Sequence, residues 1–135
     1  MLGRNWRVLI ADDDPDVCSL IDSILRRGPY DMTTCNDAES ALVAIDRHGP
    51  FDVIICDFML PGISGIDLIE RLRASENTRG VPIIMISGHT NYAIDGRAMH
   101  AGANIFLNKP FTISQLREAV NQVLPDSSRL DAVSG

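Results

Sequence analysis

Apolar residues are distributed along this chain in two alternating patterns. Short unbroken runs occur at Arg7-Val8-Leu9-Ile10-Ala11, Asp52 to Cys56, Val81 to Ile86 and Ile105-Phe106-Leu107. Between them lie longer segments in which apolar residues return every three or four positions. The unbroken runs are too short for helices and predict strands covered on both faces. Tyr30 to Cys35, more polar, predicts a further strand by its place in the alternation.

The periodic segments predict helices with readable ends. Asp14-Pro15 offers a cap and a proline at the first helical position, and Val17, Leu20, Ile21, Ile24 and Leu25 form one stripe until Gly28-Pro29 stops it. Asn36 with Glu39 three residues on has capping-box spacing, and Ala38, Ala41, Leu42 and Ile45 supply the next apolar face up to His48-Gly49-Pro50. Ser64 to Ala74 carries Ile66, Leu68, Ile69 and Leu72. Asn91 to His100 has only a weak stripe (Ala93, Ile94, Ala98, Met99) and is expected to be the most mobile helix. Thr112-Ile113-Ser114-Gln115 opens the last helix as a capping box, with Ile113, Leu116, Ala119, Val120 and Val123 inward.

Strands alternating with helices at intervals of roughly 25 residues imply an α/β fold built from right-handed crossovers. The expected architecture is a doubly wound five-stranded parallel sheet with helices on both faces, a flavodoxin-like (βα)5 unit. Residues 1–125 form the expected domain, and Asp126 to Gly135 reads as a flexible tail. A length of 135 residues suits one domain with one core.

Composition narrows the function classes. Net charge is -6 at pH 7, with no block of lysines or arginines, which argues against direct nucleic-acid binding. No apolar run approaches the ~18 residues that would span a bilayer, and the N-terminus lacks the apolar block of a secretory signal, so a cytoplasmic protein without membrane contact is expected. Cys18, Cys35 and Cys56 are odd in number and show no metal-ligand spacing, which predicts buried free thiols. By strand alternation Cys56 should pack inward. His48 and His100 fit helix ends, and Trp6 suits a lid on the sheet's edge.

Chemically distinctive residues collect after the strands: Asp12-Asp13-Asp14, Asp57, Ser87 and Lys109. In an open parallel sheet the carboxyl ends of the strands frame the ligand crevice where strand order reverses. With order 2-1-3-4-5, Asp57 faces the acidic cluster. Two carboxylates about 4 Å apart repel by roughly 4 kcal/mol at an effective dielectric of 20, so the cluster calls for a cation. All-oxygen ligands suit magnesium, with manganese as an alternative, and magnesium completes its shell with phosphate oxygens. Lys109 and Ser87 can neutralise a phosphoryl group, and Asp57 is the candidate nucleophile. Asp14 is better placed as a helix cap than as a ligand.

Four segments together carry a resemblance: Val8-Leu9-Ile10-Ala11-Asp12-Asp13-Asp14-Pro15, Asp57-Phe58-Met59-Leu60-Pro61-Gly62-Ile63-Ser64-Gly65, Ile86-Ser87-Gly88 and Phe106-Leu107-Asn108-Lys109-Pro110-Phe111. Over about Arg7 to Leu124 the chain resembles a response regulator receiver domain of two-component signalling. The strand order is already known for such proteins and for flavodoxin, so it adds no independent weight. The resemblance implies a phosphoacceptor signalling domain that catalyses its own phosphorylation and dephosphorylation rather than an enzyme acting on other substrates. Asp57 would accept a phosphoryl group from a histidine kinase or a histidine phosphotransfer protein. Asp12, Asp13, Asp57 and the backbone carbonyl of Met59 would hold magnesium.

By the same resemblance Ser87 and Phe106 would be the switch pair, Lys109 would pair with the phosphate, and Lys109-Pro110 would be cis. Met59, Gly88 and His89 would form the variable rim. The face around Phe106 would meet a downstream protein target or a second copy of the chain on phosphorylation.

Several rivals are disfavoured. An aspartyl phosphatase wants a second acid two residues on, where Met59 stands; a flavin mononucleotide carrier would be repelled by Asp12-Asp13-Asp14; no G-x-G-x-x-G supports a dinucleotide enzyme. Two alternatives stay open. One is a receiver-like interaction module that acts without phosphorylation. The other is that the chain is a receiver fragment of a larger regulator or hybrid histidine kinase rather than a stand-alone protein.

Overall fold

The computed structural model describes residues 5–88 and 92–125, with the backbone alone at 92–95. Its elements are β1 (Trp6–Ala11), α1 (Pro15–Leu25), β2 (Tyr30–Cys35), α2 (Ala38–His48), β3 (Val53–Asp57), α3 (Gly65–Ala74), β4 (Ile83–Ser87), α4 (Tyr92–Ala101), β5 (Ile105–Asn108) and α5 (Ile113–Val123). The strands form one parallel sheet in the order β2-β1-β3-β4-β5, the doubly wound topology expected from the alternation.

The pleat divides the core into two layers. Val8 and Ile10 of β1, Val53 and Ile55 of β3, and Ile84 and Ile86 of β4 pack beneath Ile21, Ile24 and Leu25 of α1 and Leu116, Ala119 and Val120 of α5. The alternate residues Leu9, Ile54, Cys56, Ile83 and Met85 pack against α2, α3 and α4 on the other face. β3 and β4 are buried along their whole length, which is why they read as unbroken apolar runs. None of the described helices is long and apolar enough to cross a membrane.

Local chemistry sets the helix ends. Asp14 caps α1 by accepting from the Asp16 N–H at 2.9 Å, and Pro15 follows at the first helical position. Ser64 caps α3, and Thr112 with Gln115 forms the reciprocal capping box of α5. The α2 cap departs from expectation: Asp37, not Asn36, accepts from the Ser40 N–H at 2.7 Å. That bond favours the ionised form and holds the Asp37 carboxyl below its usual range.

Three stripe residues also depart. Leu20, Met99 and Ile113 are exposed, because each lies at the margin of its helix's apolar arc rather than over the sheet. Trp6 is not a lid on a sheet edge: it begins β1, an interior strand, and pairs with Tyr30. Residues 126–135, expected as a tail, lie outside the described residues.

Candidate functional site

Register alone brings the first two carboxylates together. β1 and β3 are neighbours with Ala11 opposite Cys56, so the next residue on each strand, Asp12 and Asp57, emerges side by side at the carboxyl end of the sheet. Asp12 is fully buried and Asp57 nearly so. Carboxylate oxygens of Asp12, Asp13 and Asp57 all lie within 4.8 Å of one another. Asp14, now the α1 cap, is not part of this group.

Lys109 follows β5, and its Nζ lies 3.0 Å from Asp12 Oδ2 and 3.2 Å from Asp57 Oδ2. The peptide it makes with Pro110 is cis, and its own N–H donates to the Ser87 carbonyl at 2.8 Å. Ser87, at the end of β4, is fully buried beside that bond. The Met59 N–H donates to Asp57 Oδ1 at 3.2 Å, and the Asp14 N–H donates to Asp12 Oδ1 at 2.9 Å. Among the described residues no aligned donor reaches Asp12 Oδ2, although the Lys109 ammonium is close enough to pair with it electrostatically. Distance without alignment leaves that buried oxygen undersatisfied.

Charge balance follows from these contacts. Burial, then the Asp12 carboxylate, push the Asp57 carboxyl above its ordinary range, and Lys109 opposes both. Burial pulls Lys109 down, but its contacts with Asp12 and Asp57 outweigh that, and the ammonium ends above its ordinary value. Three acids with one lysine leave the cleft negative. A buried, undersatisfied oxygen within a group of three carboxylates fits a hard divalent cation with oxygen ligands.

The remaining expected residues fall around this cluster. Phe106 sits on β5 opposite Met85, half-buried against the layer of α2, α3 and α4. Met59 is 55% exposed at the rim, and Gly88 is exposed with open space where a side chain would project. His89 lies outside the described residues. Cys56 points away from the cleft into the core, where burial pushes its thiol up. Cys18 and Cys35 are half-buried and free, lining a cleft of about 480 Å³ with Asp12 and Asp13.

Two supporting residues carried no role in the sequence reading. Gly65 lies so close to β3 that a methyl group there would overlap the Asp57 carbonyl oxygen. Cys18 Sγ donates to the Asp12 carbonyl at 3.4 Å, bracing the first acid from α1. The Gly65 position was visible as part of Pro61-Gly62-Ile63-Ser64-Gly65, whereas nothing in the sequence marked Cys18.

Comparison with known proteins adds a second line of argument. The family profile of the response regulator receiver domain matches residues 8–121. The chemotaxis protein CheY-3 of Vibrio cholerae is 30% identical over 125 residues, covering 91% of this chain and 95% of that protein. The DNA-binding response regulator MtrA of Mycolicibacterium smegmatis is 34% identical over 110 residues, 82% of this chain but only 46% of MtrA, so the chain spans about half of that relative. Among solved structures, chemotaxis response regulator CheY4 of Vibrio cholerae aligns with a TM-score of 0.83 at 27% identity, covering 89% of this chain and 99% of that one. The receiver domain of sensor histidine kinase PA1611 from Pseudomonas aeruginosa, solved with a magnesium ion coordinated in its active site cleft, aligns with a TM-score of 0.81 at 28% identity, covering 88% and 97%.

Proposed function

The chain belongs to the response regulator receiver domains, and on that premise we propose that Asp57 accepts a phosphoryl group from a phosphohistidine of a histidine kinase or histidine phosphotransfer protein. The observation that carries this reading is the gathering of Asp12, Asp13 and Asp57 within 4.8 Å, with Lys109 beside two of them. In the reaction an Asp57 carboxylate oxygen forms a bond to phosphorus, the phosphorus–nitrogen bond breaks, and its electron pair returns to the donor imidazole. The product is an acyl phosphate.

Asp12, Asp13, Asp57 and the Met59 carbonyl would hold magnesium, or manganese in its place. When bound, the ion offsets the negative charge that gathers on the phosphoryl oxygens. Lys109, already 3.2 Å from Asp57, stabilises the same charge from its own side and orients the carboxylate. The Met59 N–H fixes Asp57 Oδ1, leaving the other oxygen toward Lys109. Ser87 and Phe106 are the proposed switch: the hydroxyl turns to the new phosphate and the ring moves inward behind it.

Phosphorylation then shifts a two-state balance toward a form that binds a protein target, or a second copy, through the face around Phe106. A cytoplasmic setting and an output made through protein contact rather than direct nucleic-acid binding accompany this reading, in keeping with the net charge of -6.

Incubation with acetyl phosphate and magnesium, followed by intact-protein mass spectrometry, tests the proposal. The expected result is a mass gain of one phosphoryl group in the wild type and none in Asp57→Asn. No gain in the wild type, with a protein partner still bound, would favour an interaction module that works without phosphorylation.

A further inference from the structure

A cavity of about 500 Å³ opens at the end of the sheet opposite the carboxylates, between the last turns of α2 and α3. Buried Phe51, Ile54 and Leu72 and half-buried Leu42, Ile45 and Val81 line it. The size lies within the roughly 300–1,000 Å³ typical of small-molecule sites, and an apolar surface with a few polar groups is their usual lining. Adjacent helices normally close such a gap with their own side chains. Here both rims are held from outside.

On one side Arg7 donates to the Pro50 carbonyl at 2.7 Å and stacks on the Phe51 ring at 4.7 Å. On the other, Arg73 donates to the carbonyls of Val81 at 2.6 Å and Arg79 at 2.9 Å, and Thr78 Oγ1 donates to the Leu72 carbonyl at 2.6 Å. Each loop is therefore held in place on its own side of the cavity.

The charges that line the cavity decide what fits it. Asp46 stands on α2 and Arg71 on α3, both exposed, and among the described residues neither makes an ion pair or a side-chain hydrogen bond. A neutral apolar molecule would use neither charge. A simple anion would meet Asp46 and the partial negative ends of two helices, and a simple cation would meet Arg71. One class satisfies both charges and the apolar lining together.

We propose that this cavity is a second binding site, for a small zwitterion with an apolar body: an α-amino acid carrying a large aliphatic or aromatic side chain. Its ammonium would face Asp46, its carboxylate would pair with the Arg71 guanidinium, and its side chain would lie on Phe51 and Leu72. No phosphorylation enters the argument, so the site stands or falls independently of Asp57.

Two-dimensional NMR titration of the unphosphorylated full chain tests this with L-tryptophan, L-leucine, tryptamine and indole-3-acetate. Saturable shifts for either amino acid should concentrate in residues 42–54 and 71–81. Removing one charge, from the ligand or by Asp46→Asn or Arg71→Gln, should weaken binding about tenfold, the loss of one charge-assisted hydrogen bond. Both substitutions lie on exposed side chains, and unchanged peaks elsewhere in the spectrum verify folding. Absence of shifts with both amino acids would overturn the proposal. So would equal binding of tryptamine and indole-3-acetate, shifts confined to other regions, or affinities indifferent to both substitutions.

Discussion

Replacing Asp57 by asparagine should make the metal-free protein more stable while removing its proposed chemistry. At an effective dielectric of 20, the Asp12–Asp57 pair at 4.8 Å or less repels by about 3.5 kcal/mol or more. Asp13 is exposed and adds about 1 kcal/mol or less after solvent screening. Lys109 at 3.2 Å returns about 5 kcal/mol on the same scale. Those terms nearly cancel, so the burial of the ionised carboxylate decides the sign, in agreement with the raised Asp57 pKa, whose first cause is burial.

The expected gain is about 1–2 kcal/mol, which moves a urea midpoint by on the order of 1 M. The pH dependence follows from the direction of the shift. A carboxyl whose folded pKa is raised contributes stability below its unfolded value, and that contribution is lost as pH rises through the folded pKa. The advantage of asparagine should therefore be full at neutral pH and shrink toward acid. Magnesium should reverse the order, since a ligand at 100 times its Kd stabilises the binding form by about 2.7 kcal/mol. Urea titrations across pH, with chelator or magnesium, read all three effects. An asparagine variant less stable than wild type in chelator at neutral pH would refute the electrostatic argument.

Other substitutions probe the supporting structure. Gly65→Ala should destabilise the fold by about 1–3 kcal/mol in thermal melts, through overlap with the Asp57 carbonyl, whereas Gly80→Ala, with nothing within 4 Å, should leave stability nearly unchanged. Arg73→Met should cost about 2–3 kcal/mol, because the half-buried carbonyls of Val81 and Gly102 lose a charged donor, and should speed hydrogen exchange around 78–83 and 102–104. Met59 offers no hydrogen bond to orient an attacking water, so decay of the phosphorylated protein should be slow and Met59→Asn faster; rapid wild-type decay unaffected by the substitution would contradict this.

The sheet was legible because β1, β3 and β4 are covered on both faces, a condition that forces unbroken apolar sequence. β2, at the edge, showed only through its spacing. The acids were legible because each directly follows or ends a strand. Helix caps were harder: Asn36 and Asp37 are both good caps, and the capping-box spacing of Asn36 with Glu39 pointed one residue too early. Stripe margins such as Leu20 and Ile113 misled because periodicity marks a face but not how far the sheet extends beneath it.

Arg73 was invisible for a different reason. Its partners are mostly backbone carbonyls, that of Gly102 lying 29 residues away, and a carbonyl leaves no mark in the sequence. The cavity between α2 and α3 was likewise unreadable, since it arises from how two loops are held and not from any motif.

Phosphorylated protein can be reduced with borohydride, which converts an aspartyl phosphate to homoserine, and the modified residue located by peptide mass spectrometry. After incubation with a small phosphodonor and magnesium, the account predicts homoserine at position 57 alone, and none when a chelator replaces the metal. Homoserine at another aspartate, or equal conversion of residue 57 in chelator, would contradict it.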